Sequence, residues 1–236
     1  MANYSLEIGG AVSTGWEYAK KYGLLIAVVY LLVGMLTSGL EHLTGPSLSM
    51  QDSQAISEAI GRGDWESAGS IAQAYNSNVG LHLGGILGGI VSLIVSVGLY
   101  NLALGLMSGR FNEVTFEAFK LPFATYLKVF AVGLISGILI VVSALFCIIP
   151  VLFVAPRIIL APVYQVEHPE SGVFESIGAA WKMTADNTFS MLGLGIIMAG
   201  VVLLGFCCCC IGVYFAQAIE LFALVAAYYQ LKGNLQ

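Results

Sequence analysis

Long apolar runs separated by short polar stretches set the reading of this chain. Residues 5–22 (SLEIGGAVSTGWEYAKKY) place Ile8, Val12, Trp16 and Ala19 on one helical face and Glu7, Ser13, Thr14, Glu17, Lys20 and Lys21 on the other. That is the pattern of a short helix lying in a membrane interface. An apolar span follows at about 23–40. Residues 41–79 are the long polar segment and read as an outer pair of short helices, one capped by Ser53 and one by Asp64, with Gly61-Arg62-Gly63 as the turn. A second span covers 80–108. Residues 112–123 form another amphipathic stretch, with Phe116, Phe119 and Phe123 on its apolar side. Residues 129–166 are then almost continuously apolar. At about 1.5 Å per residue this run would reach about 57 Å, nearly twice a bilayer core, so it must fold back, and Pro150 is the natural place. The resulting spans are 126–149 and 151–166. A third amphipathic stretch, 171–186, precedes an apolar run that turns near Cys207–Cys210, giving spans at 189–206 and 211–230.

The predicted fold is therefore an all-α integral membrane domain over residues 1–236. It has six transmembrane helices arranged as three hairpins, each preceded by a cytoplasmic interfacial helix, plus a small outer helical cap. The three amphipathic stretches share a small residue followed by an aromatic one: Gly15-Trp16, Ala118-Phe119 and Ala180-Trp181. Eight residues beyond each aromatic, at Leu24, Leu127 and Phe189, a span begins. Trp16, Phe119 and Trp181 are the expected interfacial anchors. Three copies of one unit would be related by an axis along the membrane normal.

Composition agrees with lipid as the solvent. The 236 residues are 58% hydrophobic and 10% charged, with a mean hydropathy of +0.88, whereas soluble domains carry about a quarter charged residues. The net charge of −5 arises from few charges, and no basic cluster suggests a nucleic-acid partner. Membrane lipids and other membrane proteins are the partners this composition allows. Lys20, Lys21, Arg110, Lys120, Lys128, Lys182 and Lys232 fall on one side of the spans and Arg62 on the other. By the positive-inside rule both termini are expected to be cytoplasmic. The outer turns at 147–151 and 205–211 carry no charge, so residues 41–79 are expected to fold over them, with Trp65 or Tyr75 packing downward.

Candidate chemistry centres on PVLFVAPRIILAPVYQVE, residues 150–167, where Arg157 sits among apolar residues and three prolines. A charge there is costly in lipid and calls for a partner. Glu220 is the acidic residue within a span, at similar depth, so an Arg157–Glu220 pair is expected, with Gln217 one turn away on the same face. The pair would be either a proton-, ion- or anion-handling site or a structural ion pair, helped by carbonyls freed by Pro156 and Pro162. Gly80, Gly84, Gly88, Ser92 and Ser96 form a small-residue ladder suited to close helix packing, within the chain or between copies. Cys207, Cys208, Cys209 and Cys210 are either small apolar filler at a turn or, with Cys147, the source of a disulfide. They lack the convergent spacing of a metal site, and His42 and His82 are weak outer metal candidates. His168 is expected to be solvated. No phosphate loop or nucleophile elbow appears, so neither a cofactor nor an enzyme is indicated.

The run IIPVLFVAPRIILAPVYQVEHPESGVFESIGAAWKMTADNTFSMLGLG resembles a signature of uncharacterised bacterial membrane proteins, the YciC-like family and the membrane domain attached to some glycerophosphoryl diester phosphodiesterases. The shared pattern is a proline-led span (Pro150), a polar linker (Glu167–Glu170) and Ser-x-x-x-x-Trp (Ser176, Trp181). AYYQLKG at 227–233 and STGWEYAKKYG at the other end are also similar. The resemblance implies a helical domain in the bacterial inner membrane. The soluble phosphodiesterase domain has no counterpart here, so its activity does not carry over. The function expected is a non-enzymatic, self-associating protein that organises the membrane. The alternative is a small transporter or lipid-handling channel using Arg157 and Glu220.

Overall fold

The computed structural model describes residues 5–44, 50–70, 83–146, 148–207 and 210–235. Among them, all regular structure is helical: α1 (Ile8–Thr44), α2 (Met50–Gly61), α3 (residues 65–70), α4 (Leu83–Met107), α5 (Phe123–Phe146), α6 (Ile148–Ile158), α7 (Ala161–Glu167), α8 (Val173–Thr184), α9 (Thr188–Cys207) and α10 (Cys210–Leu231). Six helical stretches are long and apolar enough to cross a membrane: Ile8–Leu40, Gly85–Met107, Phe123–Leu145, Pro150–Glu167, Val173–Cys207 and Gly212–Leu235. The protein is an all-α membrane protein. The chain divides into two compact units, Leu32–Ser92 and the remainder.

In the Leu32–Ser92 unit, Gly63 adopts φ 72° and turns α2 into α3. The Asp64 amide donates to Ala59 O (2.9 Å), and Asp64 Oδ1 accepts from the Ser67 amide (3.1 Å), the predicted cap. The Ser67 hydrogen bond holds the Asp64 carboxyl below its usual range. Ser53 is not a cap, because α2 begins at Met50 and Ser53 lies inside it. Trp65, expected to pack downward, is 70% exposed, and Tyr75 lies outside the described residues.

In the larger unit, α10 is the central helix. Ala216, Ala218, Ile219, Leu221, Phe222, Ala223, Val225, Ala226, Ala227 and Tyr228 are all buried. Its tightest neighbour is α9, because Gly205 and Gly212 face each other: a Cβ on Gly205 would lie 2.6 Å from Gly212 O. Bare glycine backbones let antiparallel helices approach in a way no larger residue allows. By contrast, α5 and α9 expose large apolar side chains, including Phe130, Ile138, Leu145, Ile196, Leu203 and Phe206. In lipid these are the natural outer surface.

Three predicted boundaries differ. The fold-back expected at Pro150 comes earlier, since α5 ends at Phe146 and α6 starts at Ile148, with Pro150 in its first turn, where a missing amide is tolerated. The expected break between an interfacial helix and a span near residue 22 does not occur, since α1 is continuous. Its first turns dock onto α10: a Cβ on Gly15 would lie 2.8 Å from Ala223 N, and one on Gly23 would lie 2.9 Å from the Phe215 ring. The two glycines give a smooth helical face that fits α10, and no proline interrupts the sequence there. The stretch 112–123 is not a helix apart from one 3₁₀ turn, Phe116–Phe119, capped by Thr115. It folds back along α4. Phe111 and Phe119 fill notches at Gly105 and Gly98, where a Cβ would overlap each ring. Asn101 Nδ2 donates to Ala118 O (2.8 Å) and Tyr126 Oη to Phe119 O (2.6 Å), satisfying the irregular backbone. Phe116 and Phe123 are left exposed.

Candidate functional site

Arg157 occupies the last turn of α6. Pro162 has no amide to donate to Ile158 O and its ring crowds that carbonyl, so α6 stops at Ile158 and α7 restarts at Ala161 with Pro162 in its first turn. Arg157 therefore sits at a helix break and not within a regular span. Its Nε donates to Thr188 Oγ1 (3.1 Å) and its Nη2 to Ala185 O (3.4 Å), while the guanidinium lies 4.8 Å from the centre of the Trp181 ring. Thr184 Oγ1 returns a bond to Arg157 O (3.2 Å). The expected pair with Glu220 is not formed: the cation is spent on the α8–α9 junction. Orphan carbonyls at a helix end attract a guanidinium, and an aromatic face adds to this, so the partner lay nearby in sequence.

The linker after α7 is held equally firmly. Gln165, fully buried, donates to His168 O and Ser171 O (3.2 Å each) and accepts from Ser176 Oγ (2.9 Å). Lys128 Nζ donates to the carbonyls of Pro169 (2.6 Å), Glu170 (3.3 Å) and Ser171 (3.1 Å). Glu167 receives Tyr228 Oη and Lys232 Nζ from the end of α10 and the following turn. His168, expected to be solvated, is half-buried and stacks on Tyr164 with centroids 4.4 Å apart. The N-terminus joins the same end: the Leu6 amide donates to Asn187 Oδ1 and the Glu7 amide to Gln230 Oε1, both at 2.9 Å.

Glu220 is placed differently. It lies at the middle of α10, about 15 Å from either end at 1.5 Å per residue. It is exposed, and among the described residues no ion pair or side-chain hydrogen bond reaches it. Val213, Gln217, Glu220 and Leu224 share one face of α10, on which Glu220 is exposed and the other three are half-buried. Tyr30 from α1 and Tyr100 from α4 are close enough to interact electrostatically with the carboxylate.

Compared with models of protein families, with curated proteins and with solved structures, the chain matches none.

The remaining candidates scatter. Trp16 packs edge-on against Phe215, with centroids 6.1 Å apart, and is half-exposed; Trp181 lies under Arg157; Phe119 fills the Gly98 notch. The three aromatics are therefore packing partners within the chain as well as candidate anchors. Of the small-residue ladder, Gly88 meets Thr37, Ser92 is exposed and Ser96 is half-buried. Gly80 and the surroundings of Gly84 lie outside the described residues. So do His82, Cys147, Cys208 and Cys209, and the side chains of His42 and Cys210. Cys207 is exposed with a free thiol. Among the described residues no group of three His, Cys, Asp or Glu side chains is placed to hold a metal. Sequence reasoning missed Gln165, Lys128 and the notch glycines Gly98 and Gly105. The seven-residue spacing of those glycines, two turns on one face, was the available signal.

Proposed function

We propose that this protein organises the membrane as a non-enzymatic assembly of copies of itself, associating through the Gln217–Glu220 stripe of α10. The observation that carries this reading is Glu220, a mid-helix carboxylate with no ion pair or side-chain hydrogen bond among the described residues. A carboxylate at the centre of a bilayer costs about 2.5–3.5 kcal/mol on insertion scales. A second copy would lower that cost, because a carboxyl and an amide one turn apart are self-complementary across a two-fold axis. Polar contacts between membrane helices are worth about 0.6–2 kcal/mol each, enough to specify a register in an otherwise greasy interface. The basic residues flanking the spans orient both termini toward the cytoplasm of a bacterial cell, whose inner membrane is the proposed location.

The test is cross-linking in native membranes. With the five native cysteines replaced, a single cysteine at Leu224 should form a disulfide-linked dimer, and one at Phe130 on the outer face of α5 should not. Equal cross-linking at both positions would remove the stripe as the interface. A second reading, a carrier that loads a proton or cation on Glu220, is favoured by Tyr30 and Tyr100 nearby. It predicts flux lost in Glu220→Gln with assembly intact.

A further inference from the structure

A cleft of about 390 Å³ opens between the first part of α1 and the end of α4, lined by Glu17, Tyr18, Lys21, Tyr22, Leu106 and Phe111, with Gly109 and Asn112 closing it. Its chemistry is graded. Lys20 is committed to Glu17, at 2.7 Å, so the carboxylate on the cleft wall is already neutralised. Lys21 has no carboxylate within ion-pair distance among the described residues; it interacts with Tyr22, its Nζ 4.9 Å from the centre of that ring, so its positive charge is not neutralised. Tyr18 and Tyr22 stack at 6.3 Å and form an aromatic wall, with Tyr22 pinned by its bond to Asn112 O (3.1 Å). Gly109, at φ 75°, turns the chain so that Arg110 follows directly, its guanidinium 5.4 Å from the Phe111 ring. One turn beyond Lys21, Leu24 and Leu25 are 74% and 57% exposed. The cleft thus lies where the apolar span of α4 ends and basic residues begin, with an apolar path leading away from it.

A cation, an aromatic wall and an adjoining apolar track are what a phospholipid needs: phosphate on the ammonium, glycerol against the rings, acyl chain along the leucines. We propose that this cleft binds the phosphodiester headgroup of a phospholipid through Lys21. The chemistry is shared with free phosphate, but the apolar track selects the lipid. The site stands apart from the Glu220 stripe and does not depend on it.

The experiment is native mass spectrometry of the delipidated full-length protein titrated with phosphatidylglycerol, alone and with excess inorganic phosphate. One lipid should bind ahead of the rest. Lys21→Gln should weaken that first step by about tenfold or more, the loss of one charge-assisted contact. Lys21→Arg should retain it, and Lys182→Gln, at another exposed lysine, should leave it unchanged. Inorganic phosphate should not compete. An unchanged first step in Lys21→Gln, equal loss in Lys182→Gln, or Lys21-dependent binding of phosphate that displaces the lipid would each overturn the proposal.

Discussion

Replacing Arg157 with Met tests the α6–α9 connection directly. The substitution keeps a flexible apolar stem but removes two hydrogen bonds from a charged donor, to Thr188 Oγ1 and Ala185 O, and the contact with Trp181. Bonds to charged groups contribute about 1.5–3 kcal/mol each and a cation–π contact about 0.5–1 kcal/mol. The longer bond, at 3.4 Å, lies at the weak end, and Thr188 Oγ1 keeps its own bonds to Thr184 O and Ala185 O, so no new buried group is stranded. The expected loss is therefore about 2–4 kcal/mol. Unfolding in mixed micelles, followed by tryptophan fluorescence, would measure it, and a double-mutant cycle would locate it. Arg157→Met with Thr188→Val should show a coupling of about 1–2 kcal/mol, whereas Arg157→Met with Glu220→Gln should be additive within about 0.5 kcal/mol. Strong coupling to Glu220 with none to Thr188 would refute the placement of the guanidinium and restore an intramembrane ion pair.

Other outcomes follow from close approaches and caps. Gly98→Ala and Gly105→Ala place a methyl where the Phe119 and Phe111 rings lie, and each should destabilise by about 1–3 kcal/mol in the same unfolding assay, with Phe119→Ala relieving the clash in the first. Gly15→Leu should loosen the start of α1 from α10 and raise hydrogen exchange over residues 8–16, since the neighbour it meets is Ala223 backbone; unchanged exchange would mean that these turns do not dock. Asp64 titrates below its usual range because its charged form accepts hydrogen bonds from the Ser67 hydroxyl and then the Ser67 amide. A depressed carboxyl adds stability that is complete above its unfolded-state pKa and is lost as pH falls through the folded value. Protection of the Ser67 amide, corrected for the intrinsic exchange rate, should therefore fall on acidification into that range, and Asp64→Asn should abolish this pH dependence.

The all-helical membrane architecture was legible because lipid allows few alternatives: apolar runs of bilayer length must become helices that satisfy their own backbone. Asp64 as a cap was also legible, since its hydrogen bond is local. Other features depend on tertiary fit. The amphipathic pattern at 112–123 looks like a helix, but Phe119, together with Phe111 just before the stretch, gains more by filling a notch on α4 than it would on a membrane surface. Similarly, residues 8–16 have an interfacial pattern, yet Gly15 lets them pack on α10. For Arg157, matching depth favoured Glu220, while the helix end at 184–188 offered carbonyls at closer range. The sequence motif with Ser176 and Trp181 acquires a physical reason: Ser176 closes the Gln165 network and Trp181 faces Arg157.

Glu220 is a mid-helix carboxylate with no ion pair or side-chain hydrogen bond among the described residues, and the proposed assembly rests on it. Sedimentation equilibrium in a mild, density-matched detergent puts the question directly, using the wild type, Glu220→Gln and Glu220→Leu. The account predicts an associating wild type, association retained in Glu220→Gln, which keeps hydrogen bonding, and a shift to monomer in Glu220→Leu. A wild type that stays monomeric at every concentration, or a Glu220→Leu protein that associates as strongly as the wild type, would contradict it.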